Sequence, residues 1–276
     1  MKKIFSLIMA VSILCTSTFA AGPSETMGGV ESYTSTSSEF AMFLEENSTA
    51  RTAESYYDAK EKYISALREL GDYTDNDLIA AGYSEEVISL VKKLRSNESY
   101  SPELSELNSA SPKMTFDCDV FSAPEGSNRT NVTFSWSFEW DSTPIVCLKD
   151  AVGVVWNREG MKFDSGDFSV TYGDDYTYHY SDGVYGIDMI DDNDNRTLAM
   201  VFPMSRDDTM YRCKSGEGYF KLSKGTTLPS VQVRWGYGHQ YRAPGNLYIS
   251  ITSGVGLTFG TYYETMCEDI ATFRNQ

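Results

Sequence analysis

The sequence predicts an α+β protein in which an N-terminal helical segment precedes an antiparallel β-sandwich or barrel-like domain, and three observations carry that reading. Apolar residues recur at three- and four-residue spacing between Ala53 and Leu94. From Phe116 the spacing changes to two. Short half-apolar runs then follow one another, divided by Gly, Asp, Asn and Pro, a pattern that favours antiparallel strands over a parallel sheet.

The first element is an export signal. Residues 1–20 join a basic start (Lys2, Lys3), an apolar run from Ile4 to Cys15 and a small-residue end at Thr18-Phe19-Ala20. Cleavage is expected after Ala20. The apolar run is too short to cross a bilayer, and no later stretch approaches ~18 uninterrupted apolar residues, so no transmembrane segment is expected. Residues 21–38 are rich in Gly, Ser and Thr and read as a flexible leader.

Residues 39–95 read as an acidic helical segment. Ala53, Tyr56, Lys60, Tyr63, Leu67 and Leu70 share one helix face, and Gly71 supplies a stop. Thr74 is placed to cap a short second helix ending near Gly82, and Ser84 a third carrying Val87, Ile88, Val91 and Leu94. Residues 96–112, with their Ser, Asn, Glu and Pro, read as a linker in which Leu104 and Leu107 permit one helical turn.

The β domain is expected at 113–276. Phe116, Cys118 and Val120 alternate with polar neighbours. Val132, Phe134, Trp136, Phe138 and Trp140 form an apolar stripe opposite Thr133, Ser135, Ser137 and Glu139. Further strands are expected near 145–156, 168–172, 175–180, 197–202, 218–222, 229–235, 247–251 and 255–263. The last two form a hairpin if Thr252-Ser253-Gly254 is its loop, which pairs Ile251 with Val255 and Ile249 with Leu257.

Four cysteines remain after signal removal: Cys118, Cys147, Cys213 and Cys267. In an oxidising compartment they predict two disulfides, with three connectivities open. Their spacing matches no zinc motif.

Charge narrows the partners. The chain carries 23 Lys+Arg against 39 Asp+Glu, a net charge of −16, which argues against nucleic acid. Its distribution is uneven: residues 139–195 are strongly acidic, whereas 211–263 hold Arg212, Lys214, Lys221, Lys224, Arg234 and Arg242 against Glu217. The basic end is a candidate for an anionic surface, or for pairing with the acidic middle on neighbouring strands.

No catalytic motif is present. The two histidines, His179 in a Tyr-rich strand and His239 in a Gly-rich turn, lie beside no nucleophile motif. The nucleotide loop, zinc-protease helix and dinucleotide fingerprint are absent. Tyr176, Tyr178 and Tyr180 alternate onto one strand face, where rings can stack on sugars; with Arg234 and Arg242 they are the ligand-binding candidates. Asp191, Asn193 and Asn195 gather hard oxygen ligands in one loop, as Ca²⁺ requires, without EF-hand spacing.

The order of these parts, with Leu70-Gly71-Asp72-Tyr73-Thr74-Asp75 and Ala81-Gly82-Tyr83-Ser84-Glu85-Glu86 before Phe134-Ser135-Trp136-Ser137-Phe138 and Val152-Gly153-Val154-Val155-Trp156, resembles uncharacterised secreted proteins of Gram-positive bacteria. Some large secreted bacteriocins are similar in layout. The resemblance assigns no functional residue. The expectation is a secreted, non-enzymatic binding protein acting in the medium or at a cell surface, with cell-wall glycan, an anionic surface or another protein as partner. Two alternatives stand beside it: a membrane-active antimicrobial protein restrained by its helical segment, and a glycosidase built on two carboxylates in a groove.

Overall fold

The computed structural model describes residues 30–41, 44, 53–124, 129–146, 148–157, 160–181, 187–188, 197–206, 211–240 and 263–274. Eleven strands are described: β1 (Val30–Ser38), β2 (Lys113–Pro124), β3 (Thr130–Trp140), β4 (Lys149–Trp156), β5 (Lys162–Tyr172), β6 (Thr177–Ser181), β7 (Ile187–Asp188), β8 (Thr197–Pro203), β9 (Cys213–Lys224), β10 (Ser230–Gln240) and β11 (Tyr263–Arg274). They form a six-stranded sheet in the order β1-β2-β3-β9-β5-β6 and a five-stranded sheet in the order β11-β10-β4-β8-β7. Every pairing is antiparallel.

The inward phase of each strand builds the sandwich core. On β3 the stripe Val132, Phe134, Trp136, Phe138 and Trp140 is buried throughout. Rings from the two sheets meet directly: Phe134 with Trp235 at 5.5 Å, Phe138 with Phe202 at 5.3 Å and Phe138 with Tyr237 at 5.0 Å between centroids. Such contacts bind the sheets beyond simple area burial. On β9 the inward positions Gly216 and Gly218 carry no side chain, and the rings of Phe138 and Trp136 with the Cβ of Phe168 occupy that space.

The helices do not precede the β part; they are inserted between its first two strands. Residues 30–38, expected as leader, are the edge strand β1, paired with β2 from Val30↔Phe121 to Ser38↔Lys113. Ser and Thr dominate β1 because alternate positions face solvent at a sheet edge, so its composition imitates a loop. Among the described residues four helices can be bounded, α1 (Ala53–Glu69), α2 (Asp75–Ala80), α3 (Glu85–Ser96) and α4 (Leu104–Ala110), with a 3₁₀ turn at Leu70–Asp72. Thr74 and Asp77 form a capping box at α2, and Ser84 accepts from the Val87 amide at α3. Gly82, at φ +86°, makes the left-handed turn between them.

This helical layer has its own core of Phe40, Tyr63, Leu67, Leu78, Val87, Val91 and Leu107, closed by Ile145 from the β3–β4 connection. Residues 96–112 are therefore not an open linker: α4 packs into the layer, and buried Ser111 receives the Phe40 amide at 2.8 Å. The expected hairpin at 247–263 lies outside the described residues except for Tyr263. Among the described residues no helix is long and apolar enough to cross a membrane.

Candidate functional site

The outer face of the six-stranded sheet is concave, and its polar phase lines an open trough of about 690 Å³. Strand order assembles it. In one cross-strand row stand Ser32 (β1), Asp119 (β2), Ser135 (β3), Tyr219 (β9) and Asp167 (β5). The next row holds Thr34, Asp117, Ser137, Glu217, Ser169 and His179, the last from β6. Small hydroxyl residues keep the floor low, while carboxylates and the Tyr219 ring stand above it.

The trough is acidic: it carries Asp117, Asp119, Asp167 and Glu217, and among the described residues its lining includes no Lys or Arg, although the Lys221 ammonium lies 5.5 Å from the Tyr219 ring. Ser32 and Thr34 hydroxyls donate to Asp119 and Asp117 at 2.5 Å, fixing two carboxylates against the edge strand. Asp167 differs, because its Oδ1 is buried without a hydrogen-bond partner among the described residues. Most buried acceptors have a partner, so this oxygen is an exception in the sheet. At the rim, Tyr33 packs on Trp235 at 4.7 Å and donates to Glu31. Burial first, and then Glu31, pushes its phenol well above the ordinary tyrosine range.

A second polar cluster is fully enclosed, where the helical layer meets the sandwich. Glu39, directly after β1, accepts from the Tyr63 hydroxyl at 2.8 Å and from the amides of Ile145 and Val146 at 2.9 and 2.8 Å. Its Oε1 lies 3.7 Å from Nε2 of His239. Nδ1 of His239 stands 2.8 Å from Asp150, which also accepts from the Tyr237 hydroxyl. Glu39, Asp150, Tyr237 and His239 are all buried. Burial raises the Glu39 carboxyl above its usual range, opposed by His239 and its hydrogen-bond donors. For His239 burial pulls downward, but Asp150 and Glu39 outweigh it and the imidazole is raised.

The residues singled out from sequence are dispersed. Tyr176 and Tyr178 are exposed neighbours at the β6 edge, 5.0 Å apart, and the Arg206 guanidinium lies 4.7 Å over the Tyr176 ring. The Tyr180 side chain lies outside the described residues. Arg234 is on β10 of the other sheet, between Val155 and Ile270, so the structure does not join it to the tyrosines. Arg242, Asp191, Asn193 and Asn195 lie outside the described residues, as do Cys147 and the Cys267 side chain. Basic β9 does run between β3 and β5, yet Lys221 faces Thr133 and Ser165 rather than acids.

Cys118 and Cys213 are both buried, and one of the three disulfide connectivities is removed by their placement. β3 separates their strands, about 10 Å across the sheet. Cys118 is level with Gly218, five residues along β9 from Cys213. That separation far exceeds the ~7 Å a bridge tolerates between Cα atoms.

Sequence reasoning missed the trough and the buried cluster. The signal for the trough was present in the polar phases of β2 and β3, where Ser and Asp replace the longer side chains of an ordinary solvated face.

No family model matches the chain, and no curated protein matches it. Among solved structures it is similar to the collagen-binding subdomain of the Enterococcus faecalis surface protein ACE, at 13% identity and TM-score 0.29 over 56% of this chain and 93% of that one. It is similar also to the collagen-binding domain of a Staphylococcus aureus adhesin, at 11% identity and TM-score 0.31 over 55% and 91%. Clostridium perfringens delta-toxin gives 8% identity and TM-score 0.25 over 59% and 83%. Scores this low leave the function of the chain to its own residues.

Proposed function

We propose that the protein is an extracellular, non-enzymatic binding protein whose concave sheet face holds an extended polypeptide segment bearing basic side chains. The observation that carries this reading is the trough itself: six strands contribute to it and four carboxylates line it. An open polar channel of this kind suits a chain laid along it better than a compact small molecule enclosed in a pocket. Its charge also turns away an anionic surface, so the anionic partner expected for the basic C-terminal region does not fit this face. The basic start, apolar run and Thr18-Phe19-Ala20 end of residues 1–20 support a role outside the cell.

The test measures binding of the mature chain to fluorescent Lys/Arg-containing peptides and to neutral oligosaccharides. Basic peptides are expected to bind more tightly, with affinity falling as salt rises. Neutralising two exposed carboxylates together, Asp117→Asn and Glu217→Gln, is expected to weaken binding about tenfold, from roughly 0.5–1 kcal/mol for each. Tighter binding of neutral sugars, or full affinity in the double variant, would overturn the reading.

One observation supports a second reading. The register sets Asp117 and Glu217 two strands apart on one row, about 10 Å between backbones, a spacing that leaves room for a sugar and a water between two carboxylates. Glycan hydrolysis by the mature chain, abolished in either single variant, would favour a glycosidase.

A further inference from the structure

We propose that the buried chain Glu39–His239–Asp150 is a proton-operated joint: with an imidazolium at its centre it holds the helical layer against the sandwich, and loss of that proton lets the layer come away. This goes beyond the binding role and does not depend on it.

The geometry sets one ring between two carboxylates drawn from different parts of the fold. Asp150 belongs to β4 of the sandwich, whereas Glu39 opens the inserted helical segment and is held by Tyr63 of α1. His239 Nδ1 reaches Asp150 at 2.8 Å, and Nε2 faces Glu39 at 3.7 Å. Side-chain exposures of 5%, 0% and 1% for His239, Asp150 and Glu39 keep solvent from screening them.

A protonated ring presents a hydrogen to each carboxylate. A neutral ring keeps one, on the nitrogen nearer Asp150, and turns a lone pair toward Glu39. The positive charge that opposed the burial of the Glu39 carboxyl is then gone, and removing one partner from such a buried set is strongly destabilising. The side that gives way is the helical one: the Glu39 carboxylate keeps its donors Tyr63, Ile145 and Val146, which pack with the helical core, whereas Asp150 keeps the Tyr237 hydroxyl within the sandwich.

The other groups facing the cluster are accounted for. Tyr63 and the Ile145 and Val146 amides donate to Glu39. The Trp140 ring lies 5.7 Å from His239. Glu264 stands opposite His239 in the β11 register. Tyr237, which also feels Cys213, has its phenol pushed well above its ordinary value, so it stays neutral where the imidazole titrates.

The direction of the pH effect follows. Both His239 and Glu39 are raised, so these two groups hold more protons in the folded chain than in the unfolded one where they titrate. The contribution of His239 is fully present below pH 6.5 and is lost as pH rises through its raised value.

The chain has two histidines, so ring proton signals report each one. The mature protein is titrated from pH 5.5 to 9.5 by NMR, with amide exchange of residues 53–110 and of β3 and β9 followed in parallel. His239 is expected to titrate above 6.5. Opening of 53–110, corrected for base-catalysed exchange, should rise with it by up to about tenfold per pH unit, the limit for one linked proton. β3 and β9 should stay protected. Glu39→Gln should move the rise to lower pH, and His239→Gln should flatten it. A His239 signal titrating at or below 6.5, exchange of 53–110 unchanged through its titration, or a wild-type slope in His239→Gln would each overturn the proposal. If His239→Gln does not fold, the wild-type titration decides alone.

Discussion

Gly218 offers a sharp test of the packing beneath the trough. A Cβ at this position would lie 2.5 Å from Cβ of Phe168, 2.8 Å from Cζ2 of Trp136 and 2.9 Å from the Asp167 carbonyl oxygen. Two of those three atoms are tied to the backbone of β5 and cannot rotate away. Overpacking of this kind costs about 1–3 kcal/mol, and two immovable contacts place Gly218→Ala in the upper half of that range. The lower entropy of the unfolded alanine chain returns about 0.4–1 kcal/mol. The net expectation is a loss of about 1–2 kcal/mol, or roughly 2–8 °C in Tm for a chain of this size. Gly225→Ala is the control, because nothing lies within 4 Å of its added Cβ, and it should gain about 0.4–1 kcal/mol. Urea unfolding followed by tryptophan fluorescence reads both variants. A Gly218→Ala midpoint at or above wild type, with an unchanged slope, would refute the inward placement of Gly218 and with it the β9 register.

Two further outcomes follow from the structure. Glu106 is held at about 2 by the Lys93 ammonium, the Glu103 amide and the Tyr100 hydroxyl, so its carboxyl should titrate near that value by NMR. Lys93→Met should raise it toward 4.5, and a wild-type Glu106 titrating near 4.5 would show that α3 and α4 are not joined there. Mass mapping of the unreduced protein should recover no peptide pair linking Cys118 to Cys213; finding one would contradict the order β2-β3-β9.

The parts of the fold legible in the sequence are those where one residue type repeats in phase. The β3 stripe and the Thr74 and Ser84 caps were of that kind, since each acts through neighbours close in the chain. β1 was hidden by its polar edge composition. β9 runs from Cys213 to Lys224, but glycines at 216 and 218 erase its apolar phase just where rings from β3 and the backbone of β5 fill the gap. In β10 the glycines at 236 and 238 imitated a turn, although both are buried within a strand that continues to Gln240. β11 pairs with β10 through a register shift at Tyr237/Gly238, so no single alternation spans it. The trough and the buried joint share a different cause. Both depend on which strands become neighbours, and His239 meets Asp150 across 89 positions of sequence.

The insertion of the helices between β1 and β2 has a kinetic consequence. β1 cannot pair with β2 until residues 39–112 return the chain to the same place, and closing a flexible loop of that length is entropically slow. The folded helical layer removes that barrier, because its two ends already meet: the Glu39 amide donates to the Pro112 carbonyl at 2.9 Å. Helices assembled early from local contacts would thus deliver β1 to its partner in register. Cutting the chain between residues 96 and 112 would break that closure and should slow the pairing of β1 with β2.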